Sequence, residues 1–192
     1  HRIYLMPGDI AKESFCRKLV KDAEKAMGQI DILVLNAGTQ TALRDIEELT
    51  TEQLVHTFTV NVFSMYWLVK EALPNMKAGA SIITTSSIQG FKPSEKLIDY
   101  APSKHAVVGF TRALAQQVAK RGIRVNSVAP GPIWTALQVT GGQLPEDLHD
   151  FGQDTPLGRA GQPAEVAGAY VFLASDGASF VTAAVYGVPG GN

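Results

Sequence analysis

The chain has 192 residues, of which 45% are hydrophobic and 18% charged, a composition typical of one compact globular domain rather than a disordered or fibrous protein. Its formal net charge of -1 and scattered basic residues provide no positive field for nucleic acid or anionic lipid, so neither is expected as a partner. The single cysteine excludes a disulfide within the chain, and no metal-ligand spacing is visible, so we expect no metal. The sequence shows neither an apolar run long enough for a membrane span nor a secretory leader, so we expect a cytoplasmic protein.

Predicted strands and helices alternate along the chain. The strands are short apolar runs, most of them followed by glycine, proline or a polar residue, and they are predicted over Ile3 to Met6, Ile30 to Leu35, Ser81 to Thr85, Ile123 to Val128 and Val181 to Val188. The helices have apolar residues three and four positions apart and are predicted over Ala11 to Met27, Thr50 to Pro74, Tyr100 to Lys120 and Pro163 to Leu173. The run from Ile30 is apolar almost throughout, which predicts a strand buried on both faces.

This order of elements predicts a single α/β domain over residues 1–192, with a doubly wound parallel sheet covered by helices on both faces in three layers. Residues 132–161 have no sustained period and are rich in glycine and proline, apart from a weak helical stretch from Leu144 to Phe151. A long irregular segment inside a compact domain is typical of a mobile lid, so we expect this segment to form the substrate pocket.

Tyr100 and Lys104 are one helical turn apart, so their side chains share one face of the predicted helix and can shift each other's proton affinity. Composition alone gives roughly a one in four chance of such a pair somewhere in the chain, so the pair by itself is a weak signal. Ser87, at the end of the preceding strand, and Asn61, inside an earlier helix, strengthen it. A phenol, an ammonium and a hydroxyl at one edge of a sheet suit proton transfer to a reacting oxygen, which favours an oxidoreductase.

These motifs, in this order, resemble the classical short-chain dehydrogenase/reductase family. The resemblance rests on Asn36-Ala37-Gly38, on the spacing from Ser87 to Lys104, and on the stretches Ala129 to Thr135 and Leu157 to Pro163. The last two stretches look most like the bacterial glucose/ribitol dehydrogenase-like, stress-associated subgroup. The likeness covers nearly the whole chain from Ile3 onward, and the order of the motifs is more specific than any single one.

The resemblance implies a Rossmann-type fold, NAD or NADP as cofactor, a small alcohol or carbonyl substrate, and a homo-oligomer, either a dimer or a tetramer. The family's catalytic tetrad falls on Asn61, Ser87, Tyr100 and Lys104. The family's cofactor contacts fall on Asp9, Ile10, Asn36, Ala37, Gly38, Tyr100, Lys104, Pro130, Gly131, Ile133 and Thr135.

Each member of the tetrad has an implied role. Tyr100 is expected to act as general acid or base, with its pKa lowered from about 10 by the Lys104 ammonium and by the positive nicotinamide ring. Ser87 would donate a hydrogen bond to the substrate oxygen, and Lys104 would also hold the nicotinamide ribose. Asn61 would position a water that links Lys104 to solvent.

The family's glycine-rich loop is absent from the sequence. In the doubly wound strand order this loop belongs to the first of two central βα units, so we expect both units, roughly 60 residues, to be missing and the domain to be N-terminally incomplete. Ile3 to Met6 would then have no strand to pair with, and the strand from Ile30 would lose a neighbour, which would expose an apolar edge and face. Our hypothesis is that the sequence is part of a longer protein. The choice between NAD and NADP, which depends on the end of the second strand, stays open, as does the substrate.

Other interpretations of the same residues stay open. A Ser-Lys hydrolase could use Ser87 and Lys104, although no G-x-S-x-G motif is present. A catalytically incomplete scaffold or binding domain is a further alternative. Asp9 follows Pro7-Gly8, so ordinary turn chemistry competes with its implied contact to adenine. An asparagine such as Asn61 is also common on the solvated face of a helix.

Overall fold

The computed structural model describes residues 2–192. Within this range, five α-helices and four strands alternate much as the sequence predicts. The helices are α1 (Glu13–Met27), α2 (Thr51–Phe58), α3 (Ser64–Ala72), α4 (Tyr100–Val118) and α5 (Pro163–Ala174). The strands are β1 (Ile32–Leu35), β2 (Ser81–Thr85), β3 (Arg124–Pro130) and β4 (Val185–Val188).

The four strands form one parallel sheet in the order β1-β2-β3-β4. Ile32 pairs with Ser81, and Ser81 pairs in turn with Arg124, so the strands start at nearly the same level. Because all four run in the same direction, their carboxyl ends meet at one edge of the sheet, where ligands bind in open α/β sheets. The predicted parallel α/β sheet is confirmed.

Helices cover the central strands on both faces. On one face, α1, α3 and α4 pack against Ile82 in the larger hydrophobic cluster. On the other face, α5 packs against Ile83 in a smaller cluster. Ile82 and Ile83 are consecutive in β2 and point to opposite faces, as successive strand residues must, and both are fully buried. The three-layer arrangement is therefore confirmed at the centre of the sheet.

The first strand, β1, is not buried on both faces, so the prediction from its apolar run is wrong, whereas the exposure expected from the loss of its neighbour is present. Ile32 is 49% exposed and Val34 is 45% exposed. Residues 3–6 form no strand, and the side chains of Ile3 and Leu5 are exposed. The physical reason is the strand order: β1 lies at the edge of the sheet, where the first two βα units of a doubly wound fold would separate it from residues 3–6. The expected lack of those two units is confirmed.

The last predicted strand begins later than expected, at Val185 rather than Val181. Ala183 has a φ of 61°, a left-handed conformation that cannot continue a strand. The side chain of Asn126, a buried residue of β3, adds to the backbone hydrogen bonds at this bend: its Nδ2 donates to the Val181 carbonyl at 2.8 Å, and its Oδ1 accepts from the Ala184 amide at 3.1 Å.

The predicted helix from Thr50 to Pro74 is interrupted. A single π turn, Thr59–Phe63, joins α2 to α3. At the start of α2, the Thr50 hydroxyl accepts from the Gln53 amide at 3.1 Å, as the predicted capping box requires. The Gln53 side chain does not reach back, because its amide donates to Asp99 at 3.2 Å. Only half of the capping box is therefore present.

Residues 132–161 are irregular, as predicted, and the helix expected from Leu144 is only the short 3-10 turn Pro145–Asp147. Two ion pairs connect this turn to loops that follow β1 and β2: Arg44 with Glu146 at 2.6 Å, and Lys96 with Asp147 at 2.7 Å. Among residues 2–192, no helix is both long and apolar enough to cross a membrane.

Candidate active site

A cavity of about 1190 Å³ opens at the carboxyl ends of β1, β2 and β3, with residues 136–154 on its far side. Most of the sequence-predicted site residues line it. Those lining residues are Asn36, Ala37, Gly38, Ser87, Tyr100, Lys104, Pro130, Gly131, Ile133 and Thr135.

Tyr100 and Lys104 lie together on the cavity wall, in the first two turns of α4. Both side chains are buried, and the Lys104 Nζ lies 5.4 Å from the centroid of the Tyr100 ring. Ser87 follows β2 closely and lines the same cavity, and its hydroxyl accepts from the Gln89 amide at 3.1 Å. The structure thus brings together the serine, phenol and ammonium that the sequence separates by up to 17 positions (104 minus 87).

Burial controls the proton affinities of this pair. It raises the pKa of Tyr100 to about 12, the Ser87 contact opposes this rise, and the neighbouring Tyr170 adds to it. Burial also lowers the pKa of Lys104 to about 8. The predicted lowering of the Tyr100 pKa is therefore wrong for the protein by itself, because burial of the phenol dominates.

Asn61 occupies the π turn between α2 and α3 and is 1% exposed. Its Nδ2 donates to the Thr39 carbonyl at 2.9 Å and to the Ser103 hydroxyl at 3.0 Å, while its Oδ1 accepts from the Thr39 amide at 2.7 Å. The side chain therefore fastens the loop after β1 to α4. It is not part of the cavity lining, and its role in positioning a water stays a prediction.

Gly38 occupies the narrow gap between Asn61 and Lys104. A Cβ at this position would lie 3.3 Å from the Asn61 Oδ1 and 3.3 Å from the Lys104 Nζ, tighter than most side-chain contacts. Because glycine has no side chain, the Lys104 ammonium can lie close to the loop after β1.

The loop after β3 forms another wall of the cavity. Gly131 lies against Pro189, where a Cβ would come within 2.6 Å of the Pro189 carbonyl oxygen, so only glycine fits. Ile133 forms an isolated parallel bridge with Gly161, which holds both ends of the irregular segment together. Pro130, Gly131, Ile133 and Thr135 thus enter the site as predicted.

Asp9 and Ile10 do not reach the cavity. The Asp9 carboxylate is exposed and accepts from the Ala11 amide at 2.9 Å, a turn just before α1. The reason lies upstream: residues 3–6 form no strand of the sheet, so nothing holds the loop at the sheet edge. The structure therefore does not bring these two predicted cofactor contacts to the site.

The fold agrees with comparisons to known proteins. Residues 1–192 match a family model described as enoyl-(acyl carrier protein) reductase. A short-chain dehydrogenase/reductase from Brucella melitensis, titled glucose/ribitol dehydrogenase, superposes with a TM-score of 0.88 and 33% identity over 97% of this chain and 74% of that one. The chain belongs to the short-chain dehydrogenase/reductase family. The predicted family and its glucose/ribitol dehydrogenase-like branch are confirmed.

Two further short-chain dehydrogenase/reductase relatives show how much of each protein the chain covers. The Escherichia coli protein named uncharacterized oxidoreductase YghA is 57% identical over 187 residues, which are 97% of this chain and 64% of that protein. A short-chain dehydrogenase from Burkholderia cenocepacia, solved in complex with NADP, gives a TM-score of 0.89 at 26% identity over 97% of this chain and 75% of that one. The chain thus spans about 64% of the length of this curated relative.

Some residues of the site were not predicted from the sequence. The Thr85 carbonyl accepts a hydrogen bond from the Lys104 ammonium, and Tyr170 lines the cavity from α5. Tyr170 occurs between Val166 and Leu173 on an apolar helical stripe, so its periodicity indicated core packing only. Gln40 and Gln138 also line the cavity, but they come from irregular segments 98 positions apart (138 minus 40), where no local pattern marks them.

Proposed function

We propose that this chain is part of an NAD- or NADP-dependent oxidoreductase that acts on a small alcohol or carbonyl compound. The observation that carries the proposal is the convergence of Ser87, Tyr100 and Lys104 on one cavity at the carboxyl ends of parallel strands. The oxidoreductase name of the E. coli relative and the NADP complex of the B. cenocepacia enzyme support the same class.

The residues present fit the nicotinamide end of such a cofactor. The fit rests on the open approach at Gly38 beside the buried Lys104 ammonium, which is a donor for ribose hydroxyls. A bound nicotinamide would supply the hydride donor or acceptor. The residues that would hold the cofactor are Asn36, Ala37, Gly38, Lys104, Pro130, Gly131, Ile133 and Thr135. Asp9 and Ile10 lie outside this set and do not support an adenine site in the described fold.

Tyr100, Ser87 and Lys104 can supply the proton that the reaction needs and stabilise the negative charge that forms on the oxygen. Tyr100 keeps its proton at neutral pH because its pKa is raised to about 12, so it can donate that proton to a carbonyl oxygen as the oxygen becomes negative. Ser87 can donate a second hydrogen bond to the same oxygen. In the reverse direction the Tyr100 phenolate would accept the hydroxyl proton of the alcohol, and the nearby Lys104 ammonium favours that phenolate.

A homo-oligomer, either a dimer or a tetramer, is part of the same proposal. Apolar side chains from α5 to β4 face outward, among them Val171, Phe180 and Tyr186. Patches of this kind on a folded domain usually mark contacts with another chain.

The proposal is tested on the natural protein, with any segments that flank residues 1–192. Reduced nicotinamide fluorescence is titrated with the protein, and nicotinamide absorbance is followed with a panel of alcohols, sugars, aldehydes and ketones. We expect saturable cofactor binding and turnover of at least one substrate class. Absence of any saturable binding would favour a scaffold, and ester hydrolysis without hydride exchange would favour a Ser87-Lys104 hydrolase.

A further inference from the structure

A second phenol, that of Tyr170, lines the cavity. It projects from α5, on the opposite face of the sheet from Tyr100 and α4. The Tyr170 hydroxyl lies 2.7 Å from the Thr85 Oγ1 and 3.4 Å from the Asn36 Oδ1, and the Thr85 hydroxyl donates to the Asn36 Oδ1 at 3.0 Å. One short network thus joins α5 to the ends of β1 and β2.

The proton count fixes what Tyr170 can do. Each hydroxyl of the network carries one proton, and the Asn36 carbonyl oxygen can only accept. If Thr85 donates to Asn36, the proton between the two hydroxyls must come from Tyr170. If Tyr170 donates to Asn36 instead, Thr85 donates to Tyr170. In both arrangements the Tyr170 proton is used inside the network. Tyr170 is therefore not a second general acid.

Thr85 connects this network to the Lys104 ammonium. Its side chain contacts Tyr170 and Asn36, while its backbone carbonyl accepts from the buried Lys104 Nζ at 2.9 Å. Among the hydrogen bonds of residues 2–192, that carbonyl is the acceptor for the Lys104 ammonium. Thr85 is the last residue of β2 and has no partner in β1, although it still pairs with Val128 of β3. Its side-chain bonds therefore add to this pairing in fixing the direction of its carbonyl.

We propose that Tyr170 is a positioning residue that acts through Thr85 to hold the Lys104 ammonium in the cavity. The inference rests on the proposed function, because Lys104 is the residue placed against the cofactor. It requires that removal of the Tyr170 hydroxyl weakens cofactor binding only while the Thr85 hydroxyl and the Lys104 ammonium are both present.

Double-mutant cycles in the natural protein test this route. Tyr170→Phe removes one hydroxyl and keeps the ring, and Thr85→Val removes the side-chain hydroxyl and keeps the carbonyl. The readout is the dissociation constant for reduced nicotinamide dinucleotide, followed by its fluorescence. We expect Tyr170→Phe to weaken binding about fivefold, the size of one net hydrogen bond. The same substitution should have no further effect in a Thr85→Val or a Lys104→Met background.

Tyr66→Phe is the matched control, because it removes a phenol hydroxyl from an exposed side chain outside the cavity. It should leave the dissociation constant unchanged. Thermal unfolding of each variant confirms that it is folded.

The outcomes separate the inference from the proposed function. If the unmodified protein binds no nicotinamide dinucleotide, the proposed function fails and the inference fails with it. If the unmodified protein binds and Tyr170→Phe binds equally well, only the inference is overturned. A penalty that persists in the Thr85→Val or Lys104→Met background would mean that Tyr170 contacts the cofactor directly, which also overturns a positioning role.

Discussion

At the scale of single residues, burial shifts the Tyr100 and Lys104 pKa values in opposite directions. The phenol rises to about 12 and the ammonium falls to about 8, so each is pushed toward its neutral form. At neutral pH the phenol retains its proton and the lysine is still mostly charged. This is the state required of a proton donor that stands next to a cation.

The lowered Lys104 pKa predicts a pH-dependent stability. In the unfolded chain Lys104 keeps its proton up to about pH 10.5, whereas in the folded chain it loses the proton near pH 8. Between these values the unfolded state binds more protons, so the free energy of unfolding should rise with pH, by about 3 kcal/mol across the window. Urea unfolding between pH 8 and 10.5 measures it, with Lys104→Met as the control that should lack this rise. Equal pH dependence in both proteins would contradict the burial of a charged Lys104.

Some site residues could be predicted from the sequence and others could not. Tyr100, Lys104 and Ser87 were predictable because residue type and spacing together define their chemistry. Asp9 was misplaced because its position depends on a strand that residues 3–6 do not form. Tyr170 was missed because a phenol on an apolar stripe cannot be distinguished from a core residue without its partners.

At the scale of elements, the π turn between α2 and α3 is the feature that turns Asn61 inward. A π turn adds a residue to the helical repeat and is frequent at functional sites. Periodicity in the sequence predicted one continuous helix, because apolar spacing of three and four residues continues across the turn. Both ends of the helix were predictable from Thr50 and Pro74, but the inserted residue has no composition signal of its own.

We predict that Asn61→Ala destabilises the fold more than an exposed asparagine substitution does. The change leaves the half-buried amide and carbonyl of Thr39 without their partner, which should lower the free energy of unfolding by roughly 1 to 3 kcal/mol. Asn75→Ala, an exposed asparagine that contacts Glu24, should lower it by about 0.5 kcal/mol or less. Chemical denaturation of the two variants under the same conditions tests this. Similar losses for both would show that the π turn does not depend on Asn61.

At the scale of the whole molecule, the sheet has an edge strand on each side, β1 next to β2 and β4 next to β3. In β1, Ile32 and Val34 are half-exposed. The strand order and the missing units could be predicted from the absent glycine-rich loop. The exposure of β1 did not follow from its own residues, because an apolar run looks the same at the centre of a sheet and at its edge.

This edge predicts how the isolated 192-residue chain behaves. An exposed apolar edge strand is a template for association, so the wild-type chain prepared alone should aggregate. Ile32→Lys should raise the soluble fraction, roughly twofold or more, because a charge at the edge opposes strand addition. Val55→Lys, at an exposed valine on α2, is the control and should have little effect. Sedimentation of freshly refolded chain measures the difference, and equal solubility of the two variants would show that the β1 edge does not drive association.

The proposed function requires Tyr100 to donate its proton to the substrate oxygen in the cavity. It is tested most directly by comparing Tyr100→Phe with the unmodified natural protein in two measurements, kcat for a turned-over substrate and the dissociation constant of the nicotinamide cofactor. Loss of a general acid should lower kcat by about 10²-fold or more, while the cofactor affinity changes by about twofold or less. An unchanged kcat in Tyr100→Phe would contradict the account.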